Sequence, residues 1–428
     1  MRVLFVGNRF PPDGTGGYEL HCQATRDYFR AQGDEVRVLV GVNTRASSVQ
    51  SLRRSRVGRQ VRGVEYGVFR ELRRSPWPAT ARGPRAAAIE WANARALSRH
   101  LREFRPDVVV WWRLAELSLS LVERVRLAGL PAVGVIGDGW LHEGADRDAW
   151  LSFAQRRPGV ACMVAGSAGW PLTVDYGGAA DWIFVSSHLQ AHAKAHGIHL
   201  PRSRVIAPGL DPVFAAEGEN RRADDEWSWR ICFAGRLTAS KGPELAITAL
   251  ALMPDEARLD VYGEGDAAYE ARLRELVRAF GLTSRVRFHG AVSRPALAAA
   301  FARADVLLFP NRWTEPFGLV PLEAMAGRLP VVAVPTGGAA EYLSHEINAL
   351  LVREAEAESL ASAVCRLARQ PELRASLTAG AGATARRYSV LDSGSGVRGA
   401  VEEVISASRH RSPSSAPLPP MPLPGRAS

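Results

Sequence analysis

Two glutamates, Glu315 and Glu323, stand eight positions apart, with Gly318 and an apolar run between them. A glycine at this place is typical of a turn that leads from a loop into a helix. Carboxylate oxygens accept hydrogen bonds, so a loop acid and a helix acid at this spacing suit a ligand rich in hydroxyl groups, such as a sugar joined to a ribose. Taken alone, the pattern is also compatible with two unrelated acids.

A second candidate segment, residues 235–242, carries two cations, Arg236 and Lys241. It follows an apolar run and precedes a helical pattern, and a helix N-terminus offers free N–H groups to phosphate. The chain contains only two lysines, Lys194 and Lys241, although it is rich in arginine. A lysine kept at this place suggests a use for its compact charge and flexible reach. We therefore expect Arg236 and Lys241 to contact phosphate; a surface loop with two incidental cations is the alternative.

Glycine-containing loops at other strand ends could also approach a ligand with their backbone. Each could equally be a tight turn, and Glu341, after one of them, could either cap a helix or reach a nucleotide. Glu19 is expected to be a helix N-terminal acid. The candidate nucleotide- and phosphate-contacting residues in such loops are Gly16, Gly17, Gly235, Gly263 and Val292.

A carboxylate, an aromatic ring and an imidazole follow the apolar run 132–136, at Asp138, Trp140 and His142. Together they could form a pocket for an acceptor hydroxyl group, which Asp138 would orient or deprotonate. The alternative for His142 is an exposed histidine without a role.

The elements that must position these residues form two α/β domains, as the length of 428 residues also suggests. Short apolar runs bounded by Pro, Gly and Asp and separated by helical patterns indicate doubly wound parallel sheets. The predicted strands are 3–6, 36–42, 108–112, 132–136 and 182–185 in the first half, and 230–235, 259–262, 286–289, 306–309, 331–334 and 350–352 in the second.

The predicted domains are 1–212 and 229–390, joined by a polar linker at 213–228. A C-terminal helix at 391–409 could pack back on the first domain, and a Ser/Pro-rich tail at 410–428 is expected to be disordered. Ligands of open α/β sheets bind outside the carboxyl ends of the strands, so the expected site is a cleft between the two domains.

Composition limits the class of protein further. Hydrophobic residues make up 46% of the chain, no run approaches a membrane span, and no signal sequence begins it, so we expect a soluble cytoplasmic protein. The four cysteines lack metal-site spacing, and no paired histidine spacing accompanies them, so no zinc site is expected.

The net charge of +10 arises from the first half of the chain, where residues 51–100 carry 12 arginines against three acids. The Arg-rich region 45–85 is either a solvated loop or a surface for anionic lipids on the inner face of the plasma membrane. It contains no nucleic-acid reader motif, so nucleic acid is not an expected partner.

The chain resembles a retaining glycosyltransferase of family 4, the glycosyl transferases group 1, over nearly its whole length, to about residue 408. Residues 301–341 resemble the E-x7-E segment of that family from end to end. Residues 235–242 resemble its GRL…KG segment, residues 206–214 its hinge sequence and residues 11–17 its acceptor-domain loop. The resemblance implies the GT-B fold, in which two Rossmann-like domains face a cleft.

The resemblance also implies roles for the candidate residues. Glu323 would hold the ribose hydroxyl groups, and Glu315 would contact the donor sugar, helped by the backbone of Phe317, Gly318 and Leu319. Arg236 and Lys241 would neutralise the diphosphate leaving group, so that no metal and no other cofactor is required. Retention in this family is thought to proceed by front-face substitution through an oxocarbenium-like state.

One departure concerns the acceptor side, where many members of the family have a His-Asp pair. This chain has Gly137 and Asp138 instead, so Asp138 or His142 would replace the missing histidine.

The predicted reaction moves a sugar from a nucleotide-diphosphate sugar, with UDP favoured over GDP, to a hydroxyl acceptor. Acceptors compatible with the sequence are a lipid-linked or envelope glycan precursor, an anionic one included, and a natural product. The alternatives are an inactive GT-B protein that binds a sugar nucleotide, and a polyanion- or membrane-surface-binding module.

Overall fold

The computed structural model describes residues 1–14, 16–42, 67–74, 83–219 and 226–410. Within these residues the strands form two sheets, and the registered strand pairs are parallel. The first sheet contains β1 (Arg2–Gly7), β2 (Glu35–Gly41), β3 (Val68–Leu72), β4 (Val108–Trp111), β5 (Ala132–Ile136), β6 (Asp181–Phe184) and β7 (Ser203–Val205). The second contains β8 (Arg230–Ala234), β9 (Arg258–Tyr262), β10 (Val286–Gly290), β11 (Val306–Phe309), β12 (Val331–Ala333) and β13 (Leu350–Leu351).

The order of the strands is β3-β2-β1-β4-β5-β6-β7 in the first sheet and β10-β9-β8-β11-β12-β13 in the second. In both sheets the order reverses beside the first strand, between β1 and β4 and between β8 and β11. Loops that leave neighbouring strands at a reversal diverge to opposite faces of the sheet and leave a crevice between them. The α/β doubly wound class is therefore confirmed, and each sheet has one switch point at which a ligand is expected.

Helices cover the sheets and connect the strands. In the first half they are α1 (Gly17–Ala31), α2 (Gly83–Phe104), α3 (Ser120–Leu127), α4 (Trp140–Arg147), α5 (Ala149–Arg156), α6 (Pro158–Ala168), α7 (Tyr176–Ala179) and α8 (Ser187–Ala195). After them come α9 (Val213–Glu219), α10 (Pro243–Ala251), α11 (Ala267–Ala279), α12 (Arg294–Arg303), α13 (Leu319–Ala326), α14 (Ala357–Arg369), α15 (Pro371–Ala385) and α16 (Val390–His410). Short 3₁₀ turns form at Ala239–Lys241 and Gly337–Glu341.

The chain divides into two compact units. The first unit comprises Met1–Val185, Leu189–Ile206 and the chain from Gly394 onward, and the second comprises Ser186–His188 and Ala207–Ser393. The core of the first unit takes in Val397 and Val401 of α16, and Arg398 pairs with Asp34 at 2.8 Å. From Gly394 onward the C-terminal helix is thus part of the first unit, while its first four residues belong to the second.

The polar segment at 213–228, expected as a linker, begins with helix α9 in the second unit. Phe214 is fully buried and its ring lies 5.7 Å from that of Phe301. Burial of this aromatic ring anchors helix α9 on the second unit. Residues 220–225 lie outside the described residues.

Two strands, β3 and β7, were not expected from the sequence. Both lie at an edge of the first sheet, where the pattern is weak: in β3 only Leu72 is buried, and in β7 no residue is. Edge strands need fewer apolar side chains than central ones, so a search for apolar runs passes over them.

No helix among the described residues combines the length and the apolar composition needed to cross a membrane. Helix α16 continues through His410, and the expected disordered tail after it lies outside the described residues. The cysteines Cys22, Cys162, Cys232 and Cys365 are all free.

Candidate functional site

The two cations predicted to contact phosphate lie at the switch point of the second unit, directly after β8. Arg236 is exposed, and it makes no ion pair among the described residues. Lys241 ends the 3₁₀ turn that precedes α10, and Gly242 after it has φ 69°. A Cβ atom at Gly242 would lie 2.3 Å from the Pro310 carbonyl oxygen, so glycine is required there to bring the loop after β8 against the end of β11.

The Glu315 carboxylate is the centre of a polar network at this switch point. Its Oε2 atom accepts hydrogen bonds from the Lys241 ammonium group, from Asn311 Nδ2 at 3.0 Å and from Trp313 Nε1 at 3.1 Å. The Lys241 ammonium group also lies 5.3 Å from the centre of the Trp313 ring, within reach of a cation–π interaction. Glu315 and Lys241 are therefore neighbours, as the prediction of a shared site requires.

Burial lowers the pKa of Lys241, and the Glu315 carboxylate opposes that effect while the Arg236 charge adds to it. The two side chains of the pair are only 14% and 12% exposed. A partly desolvated ammonium group acts on a bound anion more strongly than one in bulk water.

Asn311 was not among the predicted residues, although it directly follows the apolar end of β11 and could have been found on that ground. It is 1% exposed, and its Nδ2 group contacts Trp313 O, Glu315 and Thr336 Oγ1. Its Oδ1 atom is buried and has no hydrogen-bond partner among the described residues. A buried amide oxygen without a donor is costly unless a ligand or water supplies one.

Glu323 lies on α13, whose first residue follows Gly318 at φ 86°. Its side chain is 3% exposed, and its Oε1 atom accepts a hydrogen bond from Arg294 at 2.7 Å. The Oε2 atom is buried without a partner among the described residues. One free acceptor on a charge-paired carboxylate is what a donating hydroxyl group would need.

Arg294, at the start of α12, was also missed by the sequence analysis. Its guanidinium group pairs with Glu323 and so holds that carboxylate in place. The Nε atom of Arg294 lies 3.6 Å from Asp211 Oδ2, and the guanidinium carbon lies 4.4 Å from the centre of the Phe214 ring. No sequence pattern links residues 294 and 323, because the pair depends on the packing of two helices that follow different strands.

The turn between the two glutamates is held by the neighbouring loop at 337–342. Gly338 N–H donates to Glu315 O at 2.7 Å, and the Tyr342 hydroxyl group donates to the Gly318 carbonyl. Phe317 is buried, with its ring 5.7 Å from that of Tyr342. Its side chain is therefore structural, and only backbone groups of Phe317, Gly318 and Leu319 could serve a ligand.

Two further candidates in the second unit have different surroundings. Gly263 has φ 131°, and a Cβ atom there would lie 1.8 Å from the carbonyl oxygen of Gly235. This contact alone requires glycine, so a nucleotide is not needed to explain it. Val292 is 38% exposed and remains open to a ligand. Glu341 accepts a hydrogen bond from His188 N–H at 2.6 Å and so caps the N-terminus of α8.

In the first unit, Asp138 follows β5 and pairs with Arg113, which follows β4, at 2.7 Å. Burial raises the pKa of Asp138, and the Arg113 charge opposes the rise. A carboxyl group with a raised pKa is a better proton acceptor than an ordinary one. Arg113 was not predicted from the sequence.

Gly137 occupies the position where the resembling family has histidine. A Cβ atom there would lie 2.8 Å from Cδ2 of Tyr18, whose hydroxyl group donates to the Val135 carbonyl. Tyr18 from α1 thus fills the space beside residue 137, which explains the glycine. Burial, and then the Asp138 charge, raise the pKa of this tyrosine well above its usual range.

The remaining acceptor candidates separate in the structure. Trp140 is 1% exposed and packs against Trp182 with ring centres 6.1 Å apart, so its indole belongs to the core. His142 is partly exposed and lies beside His192 and His196, which the sequence analysis did not single out. Burial lowers the pKa of His142, and His196 lowers it further. The expectation that the chain has no paired histidine spacing was wrong: His192 and His196 are four positions apart in a helical pattern, and this spacing is the signal that could have revealed the cluster.

Gly16 and Gly17, predicted to face a diphosphate, lie at the start of α1 in the first unit: Gly16 is the N-cap residue and Gly17 the first residue of the helix. A Cβ atom at Gly16 would lie 2.7 Å from the Glu19 carboxylate, which therefore covers this loop. An anion bound there would face that negative charge unless the Glu19 side chain moved. Glu19 is an acid in the first turn of α1, as expected.

Most of the Arg-rich region 45–85 lies outside the described residues, and nothing in the structure bears on its contact with a membrane. Of its described arginines, Arg70 pairs with Asp13 and Arg74 lies 3.6 Å from Glu116. Both arginines are therefore at least partly neutralised by acidic residues of the first unit.

A cavity of about 660 Å³ opens elsewhere in the second unit, against β8, β9 and β10. Its lining includes Arg230, Asp260 and His289, and it contains none of the predicted site residues. The chemistry described above does not involve it.

Residues 218–383 match the family described as "Glycosyl transferases group 1". A D-inositol 3-phosphate glycosyltransferase of Xylanimonas cellulosilytica is 33% identical over 49% of this chain and 54% of its own length. A GDP-mannose-dependent alpha-(1-6)-phosphatidylinositol monomannoside mannosyltransferase of Mycobacterium tuberculosis is 28% identical over 86% of this chain and 89% of its own. The chain spans about half the length of the first of these relatives.

A crystal structure of HepE from Anabaena in complex with UDP superposes with a TM-score of 0.67 and 20% identity, covering 94% of this chain and 100% of HepE. That likeness extends the shared fold over both units. Residues 218–383 thus match the glycosyl transferases group 1, and the two parallel Rossmann-like sheets together with the likeness to HepE show the GT-B fold.

Proposed function

We propose that the protein is a retaining glycosyltransferase that moves a sugar from a nucleotide-diphosphate sugar to a hydroxyl acceptor. The observation that carries the proposal is Glu323, a buried carboxylate whose Oε1 atom is paired with Arg294 and whose Oε2 atom has no partner among the described residues. The hydroxyl groups of a ribose are donors of the kind this free oxygen lacks.

In this proposal Arg236 and Lys241 bind the diphosphate of the donor and neutralise its charge. Arg236 is exposed and Lys241 is shared with Glu315, so a bound diphosphate would compete with Glu315 for the ammonium group. Negative charge on the diphosphate grows as the bond to the sugar breaks, and fixed cations stabilise that state more than the bound donor. In this proposal the two side chains perform the neutralisation, and no metal is needed at the diphosphate.

Glu315 would contact the donor sugar after Lys241 turns toward the phosphates. Its carboxylate would still accept hydrogen bonds from Asn311 and Trp313, which hold it in place. The retaining outcome is proposed to arise by front-face substitution, in which the departing phosphate and the protein stabilise an oxocarbenium-like sugar.

The donor nucleotide is proposed to be UDP, with GDP as the alternative. HepE was crystallised with UDP, whereas the relative from Mycobacterium tuberculosis is named as GDP-mannose-dependent. Val292, exposed after β10, is the residue proposed to contact the base. Isothermal titration with UDP and GDP separates the two, since the correct nucleotide should bind at least about tenfold more tightly.

The acceptor is proposed to be an anionic or lipid-linked hydroxyl compound, with a natural product as the alternative. Two relatives are named for inositol phosphate and phosphatidylinositol mannoside acceptors. Asp138 would orient or deprotonate the hydroxyl group, with Arg113 holding its carboxylate. The raised pKa of Asp138 favours proton transfer to it.

The decisive experiment incubates the purified protein with a panel of UDP- and GDP-sugars and measures nucleotide diphosphate release with and without an inositol phosphate. Release from one donor supports a transferase. An inactive sugar-nucleotide-binding protein would bind UDP or GDP and release nothing from any donor.

Glu323→Gln tests the observation itself, because it removes the charge but keeps the shape of the side chain. We expect nucleotide affinity to fall by about 10- to 100-fold, as for loss of a hydrogen bond to a charged group. Glu346→Gln is the matched control, since Glu346 is an exposed glutamate paired with Arg366. Unchanged affinity of Glu323→Gln would remove the ribose contact from the proposal.

Contact with an anionic membrane surface through the region 45–85 is a separate proposal, supported by the arginine content of the sequence. Sedimentation with phosphatidylserine vesicles at low salt tests it, and a shortened chain without residues 45–66 should lose the binding. No binding by the full chain at low salt refutes the membrane contact and leaves the transferase proposal untouched.

A further inference from the structure

Three histidines meet at one place in the first unit. His142 is the third residue of α4, and His192 and His196 lie in and just after the last turn of α8. Their potential ligand atoms all lie within 4.8 Å of one another. The ring centres are 4.7 Å apart for His142 and His196 and 4.2 Å apart for His192 and His196.

The local structure brings these rings together for identifiable reasons. Residues 192 and 196 are one helical turn apart and so lie on the same face of the chain as α8 ends. Helices α4 and α8 follow β5 and β6, which are neighbours in the sheet, so both helices begin at the same sheet edge. A Cβ atom at Gly139 would lie 2.6 Å from Cε1 of His142, so the glycine leaves room for the imidazole.

We propose that His142, His192 and His196 bind a divalent transition-metal ion of the zinc class. Three neutral imidazoles are a preferred donor set for Zn²⁺, which takes nitrogen ligands at about 2.0–2.1 Å in tetrahedral geometry. Ligand atoms in such a site are roughly 3.4 Å apart. The separations of up to 4.8 Å therefore need only small side-chain rotations to close around the ion.

A contact of His196 supports this assignment. Its Nδ1 atom lies 2.9 Å from the backbone carbonyl oxygen of His192. A proton on Nδ1 satisfies that carbonyl and leaves the Nε2 lone pair for a metal. Metal-ligating histidines usually show this arrangement, in which the other ring nitrogen donates to a carbonyl or a carboxylate.

The bound ion would join α4 to α8 and so fix the start of α4 and the loop before it, which carries Asp138. Three protein ligands leave the fourth tetrahedral position for water or a small ligand. The ion is not assigned to the diphosphate chemistry, which the proposal above gives to Arg236 and Lys241. The two proposals can therefore fail independently.

The test uses the full-length chain without a histidine tag, stripped of metal with a chelator, and titrated calorimetrically with ZnCl₂. We expect about one ion per chain for the wild type. Cobalt(II) should give the intense visible absorption of a tetrahedral site, and zinc should raise the melting temperature.

The variants His142→Phe, His192→Ala and His196→Ala should each weaken zinc binding at least about 100-fold and abolish the rise in melting temperature. His142→Phe keeps an aromatic ring in the cluster, and His196 is exposed, so neither change should unfold the protein. The matched control is His199→Ala, an exposed histidine three residues further along the chain, which should bind zinc like the wild type.

Circular dichroism of each metal-free variant shows whether it is folded. A wild type that binds no zinc, or any one of the three folded variants that binds zinc with wild-type affinity, overturns the three-histidine site. Release of nucleotide diphosphate is not part of this test, so an inactive protein could still bind the ion.

Discussion

Replacing Lys241 with methionine tests the proposed separation between donor binding and turnover. The side chain keeps its length and loses its charge, while Glu315 retains hydrogen bonds from Asn311 and Trp313 at 3.0 and 3.1 Å. The turn that holds Glu315 should therefore keep its shape. The variant removes one cation from a place where Lys241 is only 14% exposed.

The size of the effect follows from that partial burial. Two unit charges 4 Å apart interact by about 4 kcal/mol at the effective dielectric constant of a site near the protein surface. The diphosphate gains one further negative charge as the sugar departs, so most of this energy acts on the transition state. We expect kcat to fall by about 10²- to 10³-fold, as for loss of one preorganised electrostatic group. The affinity for the donor should fall less than about tenfold.

The assay follows release of nucleotide diphosphate under saturating donor, with donor affinity measured separately by titration. Lys194→Met is the matched control, because Lys194 is the other lysine of the chain and is exposed on α8. Its kcat should equal that of the wild type. A Lys241→Met variant with wild-type kcat and a donor affinity reduced 100-fold would refute the reasoning, since the cation would then serve binding alone.

Gly263→Ala should destabilise the protein by at least about 2 kcal/mol in urea unfolding, because the new Cβ meets a backbone carbonyl at 1.8 Å. Gly159→Ala, with open space around it, is the control, and equal stabilities would contradict the close approach. Gly137→Ala should cost about 1–3 kcal/mol by overpacking against Tyr18, and Tyr18→Leu should relieve that cost in the double variant. Burial lowers the pKa of His21 to about 4, so the unfolded state binds more protons below pH 6.5. The contribution of His21 to the free energy of unfolding should therefore be fully present above pH 6.5, and at pH 5 this group alone should lower that free energy by about 2 kcal/mol. In His21→Phe the free energy of unfolding should depend less on pH between 5 and 6.5. An unchanged pH dependence would assign the acid sensitivity to other groups.

Much of the fold could be predicted because a parallel strand that is buried on both faces consists of consecutive apolar residues, which are visible in the sequence. The eleven predicted runs all correspond to strands, and no predicted bound differs from the observed one by more than one residue. Strands β3 and β7 were not predicted because an edge strand is buried on fewer sides and therefore contains fewer apolar residues. Helix α9 was not predicted because it is short and is followed by polar residues, and the burial of Phe214 in the second unit is seen only in the structure.

The candidate site was predictable in part for a similar reason. Residues in the loop that follows a strand, such as Arg236 after β8 and Glu315 after β11, can be assigned to a sheet edge without a structure. The roles of Arg294 and Arg113 could not be predicted, because the carboxylates that they contact, Glu323 and Asp138, belong to other segments of the chain. Trp140 was read as a pocket residue, yet the packing of its ring against Trp182 decides that it lies in the core.

The sequence by itself determined the α/β class, the two sheets, the place of Arg236, Lys241 and Glu315 in loops after strands, and the place of Glu323 in the helix that follows. These properties depend on local patterns of apolar and glycine residues, which a linear chain displays directly. Tertiary structure alone decided that Lys241 meets Glu315 and that Arg294 leaves one oxygen of Glu323 free. It also decided that three histidines from two helices converge. Those contacts join side chains far apart in the chain, and only the packing of strands and helices sets the distances between them.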